Sequence, residues 1–153
     1  MTTHILSLTY APKIPLVKSG ECCQTIRLHN PDKPKKVGDK LILHTWAGKP
    51  YRSKWDWRLE TEISELIVLF SQWQWFGPSE NRHHMTVWKT FVPTWNVPSR
   101  VLKTEEVEEL VRRDGIQPVE YEQLEKTLEE LNGIGSTDQE FWDIIRWPRP
   151  SDR

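Results

Sequence analysis

KSGECCQTIRLH, running from Lys18 to His29, divides into a stop and a strand. Ser19-Gly20 ends what precedes it, because glycine leaves a helix without steric cost. From Cys22 onward the residues alternate with period two. Cys22, Gln24, Ile26 and Leu28 share one face, and Cys23, Thr25, Arg27 and His29 share the other. A hydroxyl and a guanidinium therefore stand side by side on one face of a strand. Upstream, Pro12 and Pro15 hold residues 11–18 to a short helix, and HILSLT at residues 4–9 reads as a first strand.

Downstream, residues 30–39 (NPDKPKKVGD) form a loop by their prolines and Gly38. KLILHTW at 40–46 is a further strand, ended by Ala47-Gly48-Lys49-Pro50. Residues 62–76 are too polar at alternate positions for a buried helix and read as a long strand, with another at 85–92. The character then changes. Thr104 offers an N-cap, Glu105 and Glu106 sit in the first turn, and Val107, Leu110 and Val111 recur at helical spacing up to Gly115. A second helix over 119–131 aligns Tyr121, Leu124, Leu128 and Leu131, and 141–147 is a closing strand. Strands, two helices and one strand lack the regular alternation of a parallel sheet. The expected architecture is α+β: a small curled sheet or barrel with two or three short helices packed at one side. It forms a single domain over 1–153, with a Trp- and His-rich insert at about 73–99 and a flexible tail from 148.

Composition adds two asymmetries. Nine tryptophans occur, seven of them between Trp46 and Trp95. The net charge of −1 conceals +7 over residues 1–58, where eleven basic residues face four acidic ones, against −8 in the remainder. A basic, aromatic half is suited to an anionic partner; a solvated basic face without one is the plain alternative. Two adjacent cysteines make no disulfide framework, which fits a reducing compartment. No span of about 20 apolar residues exists and the start lacks a signal-peptide layout, so the expectation is a cytoplasmic protein with no membrane association.

Several elements now stand in order: the ILSL strand, Lys18-Ser19-Gly20 leading into Gln24-Thr25-Ile26-Arg27, Val37-Gly38-Asp39 before a strand, Arg112-Arg113-Asp114-Gly115-Ile116, and Ile144-Ile145-Arg146-Trp147. Together they resemble the ASCH domain, a member of the PUA-like superfamily of small β-barrels associated with RNA and modified nucleosides. The resemblance covers about residues 4–59 and 100–147. The family's turn and strand commonly read Gly-x-Lys-x-x-Thr/Glu-x-Arg; here Gly20, Thr25 and Arg27 match, while Cys22 occupies the lysine position. Some members are amidohydrolases acting on 4-acetylcytidine, with a lysine and threonine from this strand and an acidic residue from the helical region. The resemblance thus implies Thr25 and Asp114 as catalytic candidates, with Cys22 departing from the pattern.

Weighed as chemistry, Thr25 needs a base to become a nucleophile. Cys22 acts only as a thiolate in an electropositive setting, and otherwise as a small apolar filler. Lys18 is a second candidate for the missing amine, and Lys18 and Gly20 join Arg27 as candidate ligand-binding residues at this turn. Arg27 offers a planar fork to phosphate or carboxylate, and Asp114 accepts from an exocyclic amine. The alternative for Arg27 and Asp114 is a structural ion pair.

Lys33, Lys35, Lys36, Arg52 and Lys54 supply cations for phosphate contacts. Trp55 and Trp57 fall on one side of an extended segment, where bases could stack, and Trp73 and Trp75 repeat the spacing. More than half of the tryptophans are expected in the core, with Trp55, Trp57 and Trp95 exposed. His83-His84 lacks zinc-site spacing, and no phosphate-binding loop, dinucleotide fingerprint or nucleophile elbow occurs, so no metal and no cofactor is expected. The leading expectation is a domain that binds RNA, other single-stranded nucleic acid or a modified nucleoside. The alternatives are an amidohydrolase or ribonuclease, and a module whose Trp-rich insert docks on a protein partner.

Overall fold

The computed structural model describes residues 1–91 and 100–150. Eight strands in two sheets and three helices are found among them. One sheet has three strands in the order β1 (Thr3–Ser7), β3 (Lys40–Trp46) and β4 (Trp55–Glu62). The other has five, in the order β2 (Gln24–Leu28), β8 (Glu140–Arg146), β5 (Glu65–Phe76), β6 (His83–Phe91) and β7 (Arg100–Val101). Strands β1 and β3 run parallel; every other pairing is antiparallel. The helices are α1 (Ile14–Ser19), α2 (Thr104–Arg113) and α3 (Tyr121–Asn132), and a 3₁₀ turn at Ala11–Lys13 leads into α1.

The five-stranded sheet is apolar on both faces, and this decides the layering. On β8, Trp142 and Ile144 face α2 and α3, where they are buried with Val107, Leu110, Val111, Leu124 and Leu128. Ile145 points the other way, into a second core with Leu41 and Leu43 of the three-stranded sheet and Val17 of α1. Near-continuous apolar runs follow from burial on two sides. Each such buried side chain contributes about 1.5–3 kcal/mol. The result is helices, sheet and sheet. Leu131, expected on the apolar stripe of α3, is instead 45% exposed, one turn beyond the buried Leu124 and Leu128.

Helix α2 ends as the glycine at 115 suggests. Gly115 lies at φ +73°, its N–H donates to Arg112 O, and the Ile116 N–H donates to Val111 O. These are the two bonds of a Schellman close. Its start differs from expectation: Lys103 holds the N-cap position, and the Glu106 carboxylate accepts the Lys103 N–H.

Residues 72–76 and 83–87 extend β5 and β6 past the end of β8 as a two-stranded ribbon. This ribbon is most of the expected insert; Trp95 lies outside the described residues. Of the eight other tryptophans, Trp88, Trp142 and Trp147 are buried, Trp46, Trp57 and Trp73 half-buried, and Trp55 and Trp75 exposed. Fewer than half are core, because Leu and Ile fill most of both interiors. The segment after Trp147 packs as far as Pro150, which rests on Gly20; a Cβ at Gly20 would fall 2.7 Å from Pro150 Cγ. Among the described residues no helix is long and apolar enough to cross a membrane.

Candidate functional site

Strand β2 is the outermost strand of its sheet, so its free edge must be covered or used. Residues 8–13 and the C-terminal ends of α2 and α3 surround that edge and leave a cavity of about 60 Å³. That is space for a few waters or one small planar group. Thr25, Arg27 and Asp114 all line it, as do Tyr10, Lys13 and Asn132. The residues that the sequence separates by almost ninety positions therefore converge.

Each side chain has a specific hold. Gln24 faces the helices, where its Nε2 donates to Leu110 O at 3.2 Å and lies 3.3 Å from Asp114 Oδ1. Its Oε1 accepts from Arg146 Nε at 2.9 Å. Thr25 and Arg27 face the three-stranded sheet. Arg27 Nε donates to Thr25 Oγ1 at 3.2 Å and Nη2 to Ser7 O at 2.6 Å. The guanidinium thus fixes the hydroxyl with one nitrogen and anchors itself on β1 with another.

Lys13 is the residue that sequence reasoning missed. Its Nζ donates to Asp114 Oδ2 at 3.0 Å and its side chain is buried. The close of α2 lies against Lys13: a Cβ built at Gly115 would be in ordinary contact, 3.5 Å from Lys13 Cβ. A lysine at a helix C-terminus also meets the negative end of the helix dipole. Burial pushes the Asp114 carboxyl above the usual carboxylate range, and Lys13 opposes that push. Burial likewise lowers Arg27, opposed by Asp114, though an arginine remains charged near neutrality. Nothing local in Ala11-Pro12-Lys13 signals this role; the lysine acquires it only by meeting Asp114.

The other candidates lie elsewhere. Cys22 is 3% exposed in the core between the sheets, with its thiol 3.1 Å from Arg113 O and 3.4 Å from Gln24 O. Burial raises its pKa, opposite to what a nucleophilic thiolate requires, so the catalytic reading of Cys22 is corrected to a packed thiol. Lys18 is exposed, 5.8 Å from the Trp57 ring centroid, and does not line the cavity. Gly20 does not line it either; it closes α1 at φ +85°.

Lys33, Lys36, Arg52 and Lys54 are exposed on loops. Lys35 is different: its ammonium lies 3.4 Å from the buried Asp143, which also meets His29 Nδ1 at 2.9 Å. It is committed to that pair and is no free phosphate contact. Trp55 and Trp57 do not share a face. Pairing moves from Thr45↔Trp57 to Trp46↔Trp55 and passes over Asp56, a one-residue bulge. Trp57 packs with Leu59 against the core between the sheets, while Trp55 stacks on His44 at 3.9 Å.

Compared with protein-family models, curated proteins and solved structures, the chain matches none.

Proposed function

We propose that this chain binds RNA or a modified nucleoside as a PUA-like domain, with a base or its substituent in the cavity at the β2 edge. The convergence of Thr25, Arg27, Lys13 and Asp114 on one small cavity carries this reading. The lining mixes cationic donors, a hydroxyl and a carboxylate, the polarity that the edge of a nucleobase presents in reverse. Exposed Lys33, Lys36, Arg52 and Lys54 supply the sequence-independent phosphate contacts.

Calorimetric titration with cytidine, 4-acetylcytidine and a short single-stranded RNA tests it. Binding is expected to weaken at least tenfold in Thr25→Ala and Arg27→Lys, and the RNA affinity is expected to fall with rising salt. Affinity that is absent, or unchanged in both variants, removes the proposal.

One observation favours a second reading, the amidohydrolase. Lys13 brings to the cavity the amine that position 22 lacks. A hydroxyl as nucleophile, an amine as proton carrier and a carboxylate that sets the amine's charge are the groups that amide hydrolysis requires. Arg27 beside Thr25 Oγ1 is placed to stabilise negative charge on that oxygen. Release of acetate from 4-acetylcytidine, lost in Thr25→Ala and in Lys13→Met with circular dichroism unchanged, would support it. No turnover, or turnover that survives Thr25→Ala, leaves binding alone.

A further inference from the structure

Beside the cavity, the end of the three-stranded sheet carries an aromatic corner. His44 and Trp55 stack with ring centroids 3.9 Å apart, and Trp46 stands edge-on to His44 at 4.9 Å. Tyr51 leans on Trp46 at 5.3 Å and is 86% exposed. Its backbone is held at φ +62°, a region that non-glycine residues seldom adopt, and this projects the ring outward. Two atoms of the corner, His44 Nδ1 and Trp46 Nε1, are buried and have no hydrogen-bond partner. Buried polar atoms left this way are uncommon in native proteins.

Arg27 joins this corner to the cavity. The guanidinium that holds Thr25 also donates to Ser7 O, and Ser7 is the register partner of His44. The Leu8 N–H, on the cavity side, donates to His44 O. Cavity and rings are thus separated by one side chain and one strand.

Charge selects the occupant. Lys49, Arg52 and Lys54 stand in the same β3–β4 connection as Tyr51, and Arg58 lies 5.8 Å from the Trp55 centroid. Of the acids near the rings, Asp56 accepts the Thr45 hydroxyl and Glu60 is paired with Arg58 and Lys40, so both are already engaged. A methylated ammonium, the usual guest of aromatic cages, would meet like charge here. A flat base attached to a phosphate meets stacking surface and cations together.

We propose that Trp46, Tyr51 and Trp55, backed by the buried His44, form a stacking shelf for a second nucleobase, so that the ligand is a single-stranded oligonucleotide with one base in the Thr25–Arg27 cavity and its neighbour on these rings. This rests on the nucleoside reading of the cavity. It adds a second base-binding surface to that reading and so selects a strand of at least two nucleotides over a free nucleoside.

The test is a fluorescence titration of the full chain with cytidine, a cytidine dinucleotide and a pentanucleotide, as RNA and as DNA. Affinity is expected to rise about 5- to 150-fold from nucleoside to dinucleotide, the gain for one stacked base. Quenching of tryptophan emission accompanies that rise. Tyr51→Ala, at an exposed position, brings the ratio of dinucleotide to nucleoside affinity close to one; Trp46→Phe, which keeps a ring and removes the indole N–H, lowers it. A gain equal in RNA and DNA supports base stacking on the shelf, and a gain confined to RNA assigns it to a contact with the 2′-hydroxyl and overturns the stacking proposal. A ratio near one in the wild-type chain, or a gain that survives Tyr51→Ala, overturns it. Thr25→Ala separates the two proposals. If it abolishes nucleoside binding while no length-dependent gain exists, the shelf fails and the cavity stands. If a Tyr51-dependent gain persists in Thr25→Ala, the shelf stands without the cavity. If no nucleic acid binds, both fail.

Discussion

Lys13 and Asp114, 101 residues apart in the chain, hold each other at 3.0 Å with both side chains shut away from solvent. A buried pair of this kind stabilises little in itself but is costly to break from one side. Lys13→Met leaves a buried carboxylate, and Asp114→Leu a buried ammonium. Each single variant is expected to lose about 3–5 kcal/mol in urea unfolding. The double variant Lys13→Met/Asp114→Leu is expected to recover most of that loss, since Gln24 Nε2 keeps Leu110 O as acceptor. Losses that simply add would show the pair to be uncoupled.

The packed thiol at position 22 makes a chemical prediction. With its pKa raised by burial, Cys22 is expected to resist alkylation by iodoacetamide at pH 8 in the native state and to react only on unfolding. Peptide mapping after labelling reads the two cysteines separately. Rapid modification of Cys22 in the folded chain would restore it as a reactive group.

Period-two alternation and turn residues carried most of the backbone. Strand β3 occupies the expected residues 40–46, and α2 and α3 fall within two residues of expectation at each end. These elements were legible because local spacing alone dictates which face is buried. The cavity was legible in part. Thr25 and Arg27 share a face by alternation, and Asp114 was placed with them through family resemblance. Lys13 had no local signature, because its burial depends on a carboxylate from the other half of the chain. The bulge at Asp56 was hidden for a different reason: no glycine marks it, and a single skipped residue turns Trp55 away from Trp57. Lys35 looked like any loop lysine until Asp143 rose beneath it on β8.

Gly20 is constrained twice, by a left-handed backbone and by the Pro150 ring, which fills the space a Cβ would take. Gly20→Ala is expected to cost about 1–2 kcal/mol from the backbone conformation. The overlap with Pro150 adds to this. Pairing it with Pro150→Gly is expected to return only the steric part, measured by thermal unfolding of the single and double variants. A neutral Gly20→Ala would mean that neither constraint acts.

The loop before β3 is tied down by one carboxylate, and this gives the fold a dependence on acid. Asp39 accepts the Lys36 N–H at 3.0 Å and the Thr2 N–H at 3.3 Å, and its Oδ2 lies 2.9 Å from His4 Nε2. The His4 contact, first among these causes, holds the Asp39 carboxyl below the usual carboxylate range. A carboxyl whose folded pKa is depressed binds fewer protons in the folded state than in the unfolded one. Its stabilisation is therefore complete above the unfolded value near 4 and is lost as pH falls through the lower folded value. Asp39→Asn is expected to cost about 1.5–3 kcal/mol at pH 6, the range for hydrogen bonds to a charged group. The gap between variant and wild type is expected to narrow as pH falls below the ordinary carboxylate range and Asp39 itself takes up a proton. Urea unfolding at half-unit steps from pH 6 to pH 2 reads both curves, and a gap that stays constant with pH would place the loss in packing rather than in the charge.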